Sequence, residues 1–194
     1  MSTRKRLITS FKTERGFRQF FAFFSLLAFV LYNLKFLSYH YCMDAKIINH
    51  FLTEGVNAFQ SMFGITPQAK EPHILDIHAG HSWEISGLLG ITGDVKGVVA
   101  FRLHKTLAGK MLALSGLECK PEEYEDTTIG LVSEFTNIIS GHAVSAIKDY
   151  SIDISPPFCV MGHNHIIAWP KNYPVIGIPF STTYGPFEVD VCFK

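Results

Sequence analysis

Between about Asp126 and Tyr150 the apolar residues recur at helical spacing, so this run must form a helix with one side covered. Ile129, Val132, Phe135, Ile139, Ala143, Ala146, Ile147 and Tyr150 gather into a stripe at 100° per residue. The opposite side carries Thr127, Gly130, Glu134, Asn137, Gly141, Ser145 and Lys148. Two glycines on the exposed side of a helix interior each cost about 0.5–1 kcal/mol relative to alanine. A solvated face gains nothing from that, whereas a face that another backbone must approach gains room. The flank therefore reads as a docking surface carrying one carboxylate, Glu134, and one carboxamide, Asn137, three residues apart.

What covers the apolar stripe is legible elsewhere in the chain. Asp44 to Phe63 has Ile47, Ile48, Phe51, Leu52, Val56, Phe59 and Phe63 at helical spacing, and Gly64 stops it. Extended runs are predicted at about 72–78, 83–92 and 97–103, the last two joined as a hairpin through Gly93-Asp94-Val95-Lys96. A short helix covers about Thr106 to Ser115 and ends at Gly116; Asp126 is placed as the cap of the long helix. After Pro156-Pro157, further strands are expected at about 158–162, 165–169, 174–182 and 187–193. Phe187, Val189, Val191 and Phe193 alternate with Glu188, Asp190 and Cys192, the pattern of a half-buried strand, and Pro179 marks an edge or a bulge. The order of elements defines an α+β fold: an antiparallel β-sheet with long helices packed on it.

Charge divides the chain. Residues 1–42 carry seven Lys/Arg and one acid, leaving ten basic and sixteen acidic residues after position 42, a net of −6. That balance, with no basic stripe, excludes nucleic acid as the natural ligand. The first 42 residues hold eight of the seventeen phenylalanines, and Phe20 to Leu34 is apolar except for Ser25 and Asn33. As a helix this stretch would span roughly 22 Å against roughly 30 Å of bilayer hydrocarbon. No small-residue cleavage site follows it. It is read as an extension ahead of a natural start at Met43, with a marginal membrane anchor as the alternative, and residues 43–194 as the working domain. The four cysteines show no C-x-x-C spacing, which suits a reducing compartment.

A search for self-sufficient chemistry returns little. There is no G-x-S-x-G, P-loop or H-E-x-x-H. Glycines 87, 90, 93 and 97 read as turn and bulge glycines rather than a phosphate loop. His78 with His81, and His163 with His165, lack an acidic or cysteine partner and read as surface-loop histidines; Trp83 and Trp169 read as sheet core. For Glu134 and Asn137 the available chemistry is narrow. Asn cannot ionise and can orient a water without abstracting its proton, while Glu can accept a proton or pair with a cation. A reaction at this pair needs a partner to bring the remaining groups. A merely solvated helix face remains open on spacing alone.

The run Glu134-Phe135-Thr136-Asn137-Ile138-Ile139-Ser140-Gly141-His142-Ala143 resembles the E-x-x-N motif of the CheX-like phosphatases of bacterial chemotaxis, related to CheC and FliY. Ile47 to Gly64 resembles that family's first helix, Gly90 to Gly97 its hairpin, and Pro156, Gly162 and Pro174 to Phe180 its C-terminal strands. The likeness runs from about Ala45 to the end, with one departure, His142 where the family pattern has Asn. The resemblance implies hydrolysis of the phospho-aspartate of a CheY-type response regulator in the cytoplasm. It makes Asn137 the residue that orients the attacking water and Glu134 the one that pairs with a regulator lysine. Gly130, Leu131, Ile138 and Gly141 would form the contact surface, with no cofactor of the chain's own, Mg²⁺ on the regulator, and a homodimer through sheet edges. Two other readings are a non-catalytic adaptor that binds regulators through the same face and a membrane-tethered signalling domain.

Overall fold

A computed structural model describes residues 47–171 and 173–194. The expected helix start at Asp44 and both readings of residues 1–42 lie outside the described residues. Helix α1 (residues 47–63) buries Ile47, Phe51, Ala58, Phe59 and Phe63, and ends where the Gly64 N–H reaches the Gln60 carbonyl at 3.0 Å. Helix α2 (Lys105–Leu114) buries Leu107, Ala108, Met111 and Leu112. Helix α3 (Tyr124–Ser145) buries nine residues from Thr128 to Val144.

Eight strands form one antiparallel sheet: β1 (Gln68–Ala69), β2 (His73–Ile74), β3 (Ile85–Gly93), β4 (Gly97–Leu103), β5 (Ile152–Ile154), β6 (Phe158–Met161), β7 (Ile176–Thr182) and β8 (Gly185–Phe193). Their order is β1-β7-β8-β4-β3-β5, with β2 beside β7 and β6 beside β3. The outer edge of β7 thus carries two two-residue bridges, and Pro179 stands between them, its carbonyl accepting from the Lys70 N–H at 2.8 Å. The hairpin over 94–96 and the α+β architecture are as the sequence predicts.

All three helices feed one apolar core with the same face of the sheet, including Ile85, Leu89, Val99, Phe101, Ile178, Phe187 and Val189. Phe59 is its centre: it stacks on Phe187 at 4.6 Å and meets the Phe135 edge at 5.3 Å between ring centroids. The close seating of α3 depends on Gly87. A Cβ there would clash with Thr136 Oγ1 and lie 3.1 Å from the Val132 carbonyl oxygen. Gly87 is therefore a packing glycine in mid-strand, not the turn or bulge residue its spacing suggests.

Four further expectations are corrected. The long helix stops at Ser145, five residues short of Tyr150, because Ile147 closes a tight turn onto the Val144 carbonyl (3.0 Å) so that Ile152 can pair with Gly93. Asp126 lies in the first turn; the helix begins earlier, after a 3₁₀ turn at Pro121–Glu123, where Pro at the first position presets the backbone. Residues 165–169 form no strand, since β5 and β6 already occupy the open edge of β3. Finally, β8 is buried on both faces: Glu188, Asp190 and Cys192 are buried like Phe187, Val189 and Val191, with which they alternate.

Candidate functional site

The ridge of α3 that faces away from the core lies between α1 on one side and β5 on the other. Gly130 and Glu134 are exposed there, and Asn137, Ile138 and Gly141 are half-buried. A Cβ at Gly130 would meet nothing within 4 Å, so the ridge is open at that point; at Gly141 it would touch Ile154 Cδ1 at an ordinary 3.7 Å. Leu131 does not belong to this surface. Its position on the helix turns it toward the hydrophobic core, where it is 6% exposed, so it supports the ridge from beneath.

Among the described residues, no side chain engages Glu134 or Asn137, and the Asn137 carboxamide is absent from the buried polar atoms that lack a partner. Both groups reach solvent, one helical turn apart on the same flank. The neighbouring polar residues of α3 are spent locally: Thr128 and Thr136 donate to the Tyr124 and Val132 carbonyls, each at 2.7 Å. Ser140 Oγ, on the buried side of the same helix, also lacks a hydrogen-bond partner, so what sets Glu134 and Asn137 apart is that their unused groups lie together on the outward flank.

A second Glu-x-x-Asn spacing, Glu54 and Asn57, lies on α1, and the structure shows why spacing alone does not define a site. Asn57 Nδ2 donates to Glu54 Oε1 at 3.4 Å, and Glu54 Oε2 lies 3.4 Å from His142 Nδ1. This carboxylate is occupied, and it ties α1 to α3 through His142, the position that departs from the family pattern. Among the described residues no set of three His, Cys, Asp or Glu side chains is arranged to hold a metal ion, and no helix is long and apolar enough to cross a membrane.

His78 and His163 are exposed loop histidines, as expected, whereas His81, His165 and both tryptophans sit elsewhere than expected. On the sheet face away from the helices, Ser86, Arg102 and Glu188 form one row across β3, β4 and β8. Arg102 Nη2 donates to Glu188 Oε1 at 2.8 Å, and Nε lies 2.5 Å from Asp190 Oδ2. His165 Nδ1–H donates to the Gly162 carbonyl at 3.0 Å, which leaves Nε2 to accept from Ser86 Oγ at 2.6 Å. His81 Nε2–H in turn donates to the His165 carbonyl at 2.7 Å. Burial first, then the Arg102 charge, hold the His81 pKa below the ordinary imidazole value. These histidines are structural members of a half-buried wall. Trp83 and Trp169 line a cavity over the same face and are not core. The signal available in the sequence was the alternation of charge on two adjoining strands, Arg102 on β4 and Glu188 with Asp190 on β8.

The described domain is α+β with its helices packed on one sheet face, and its longest helix carries a carboxylate and a carboxamide side by side on the outward flank. A family model described as chemotaxis phosphatase CheX matches residues 85–181, half of the chain, and the chain belongs to that family. The CheY-P phosphatase CheX of Thermotoga maritima is 24% identical over 139 residues, which are 69% of this chain and 85% of that protein. Among solved structures, a CheC-like superfamily protein from Shewanella sp. PV-4 is 31% identical with a TM-score of 0.68, over 77% of this chain and 97% of that one. The CheX of a CheX–CheY–BeF₃–Mg²⁺ complex from Borrelia burgdorferi shares the fold: 22% identity, TM-score 0.62, and coverage of 76% and 97%.

Proposed function

We propose that this protein is a phosphatase that accelerates hydrolysis of the phospho-aspartate of a CheY-type response regulator, with Asn137 and Glu134 as its working pair. The single observation that carries the assignment of residues is that both side chains, unengaged by any other described residue, lie one turn apart on the outward flank of α3. Asn137 would enter the regulator's phosphorylated pocket and hold a water in line with the phosphorus, accepting and donating hydrogen bonds without ionising. Glu134 would pair with a cationic side chain of the regulator and fix the depth and angle of entry. Gly130 and Gly141 admit the partner's backbone, and Ile138 supplies apolar contact.

The chain has no nucleophile of its own in this scheme. Phosphoryl transfer allows that division, because catalysis there is mostly positioning plus neutralisation of charge on the transferring oxygens. Mg²⁺ belongs to the regulator; the Borrelia relative was solved with CheY and Mg²⁺ together. The reading places the protein in the cytoplasm with its regulator, and extends to a homodimer through the short outer strands.

The test is the decay of acyl phosphate on a phosphorylated CheY-type regulator. Asn137→Ala is expected to lower the stimulated rate by about 10²–10³, the loss of about 2.7–4 kcal/mol typical of one well-placed hydrogen-bonding group. Its circular dichroism and unfolding midpoint should match those of wild type. An unchanged rate overturns the assignment. The adaptor reading predicts instead that the wild-type protein binds the regulator without speeding decay.

A further inference from the structure

The cavity over the outer sheet face has a volume of about 730 Å³, within the range of about 300–1,000 Å³ that small-molecule sites occupy. Its floor is the charged row of the sheet, where Arg102 is 3% and Glu188 8% exposed, with Asp190 fully buried behind them. Three buried ionisable groups on this sheet face are costly to desolvate, where apolar residues would pack at least as well. Trp83 and Trp169 stand in the walls, and Asp76 lies at the rim. Arg102 Cζ lies 5.9 Å from the centre of the Trp83 ring, so that ring already faces positive charge.

We propose that this cavity binds a small organic cation, an amine or guanidine with a compact apolar body. The charge balance selects the sign. The guanidinium of Arg102 is only 3% exposed and lies against Glu188 and Asp190, so an anion entering the cavity would have to approach the Glu188 and Asp76 carboxylates to reach it. His81, kept neutral by burial, adds no positive charge. A cation meets the carboxylates of Glu188 and Asp76 in a cavity walled by two indole rings, the combination that recognises ammonium and guanidinium groups. This site lies on the opposite sheet face from Glu134 and Asn137, and its occupancy does not depend on the phosphatase reading.

Both tryptophans of the chain line the cavity, so intrinsic tryptophan emission reports on this one place. Agmatine and choline titrated into the full-length protein should each produce a saturable change in emission, and benzoate none. The agmatine dissociation constant should rise tenfold or more in Glu188→Gln. Asp76→Asn serves as a second variant, since Asp76 is exposed and Asn can still accept from the His78 N–H that Oδ1 accepts at 3.0 Å. It should weaken agmatine several-fold with an unchanged unfolding midpoint. The proposal is overturned if neither cation gives a saturable change, if benzoate binds as tightly as agmatine, or if a folded Asp76→Asn variant binds as wild type does. Emission that varies with protein concentration and not with either cation would equally overturn it, in favour of a second copy on this face.

Discussion

Arg102 faces two carboxylates from β8, and one guanidinium answers only part of their combined charge. Burial, and the proximity of Glu188, push the Asp190 pKa well above its ordinary 3.8, against the opposing pull of Arg102. The folded protein therefore keeps a proton that the unfolded chain releases. Such a group contributes its full stability below the ordinary carboxylate range and loses it as pH rises toward the folded value. Asp190→Asn removes that slope. Urea midpoints measured from pH 4 upward should decline less steeply in the variant than in wild type; parallel curves would show that Asp190 is ionised in the fold. At this same scale the sequence was informative about identity and blind to environment. The Glu134–Asn137 pair was legible because helical spacing fixes which residues share a flank. Leu131 was misplaced because it lies only about 60° round the helix from Glu134, and periodicity does not say where along that arc α1 begins to cover the surface.

Helix α3 and strand β3 meet at Gly87, and their spacing follows from that one missing side chain. Gly87→Val would drive a branched side chain into Thr136 and the Val132 carbonyl, separating the helix from the sheet. The expected cost is about 1–3 kcal/mol, read as a lowered melting temperature, because overpacking at a rigid contact displaces backbone. Thr136→Ala should recover part of the loss, since the nearest obstructing atom is its hydroxyl oxygen; no recovery would mean that the contact is not the source of the strain. The elements themselves were readable where local pattern and tertiary role agree: α1, α2, the β3–β4 hairpin, β7 and β8. Where they disagree, pairing wins. The strand expected at 165–169 has suitable residues but no free edge to join, and β5 forms from three residues because Gly93 offers one.

For the molecule as a whole, the sequence revealed the face that bears helices and concealed the other. Apolar periodicity reports where a core must be, so the helical face followed directly. Glu188 and Asp190 look like solvent-facing residues by the same logic, and only the segments around residues 73–83 and 162–169, which have almost no regular structure, cover them. Residues 1–42 bear on where the domain works. We propose that the working protein begins at Met43, so N-terminal sequencing of the protein from its native cells should start there, and the protein should fractionate away from membranes. An N-terminus upstream with recovery in the membrane pellet would instead support an anchor.

Ser86 and Gly87 are consecutive in β3 and point to opposite sides of the sheet: one hydroxyl holds His165, and the next residue touches Thr136, which directly precedes Asn137. A single peptide plane is therefore the whole distance, along the chain, between the two surfaces. The wall of the cavity and the seat of the helix that carries Asn137 therefore share one strand, and β3 is the element common to both surfaces.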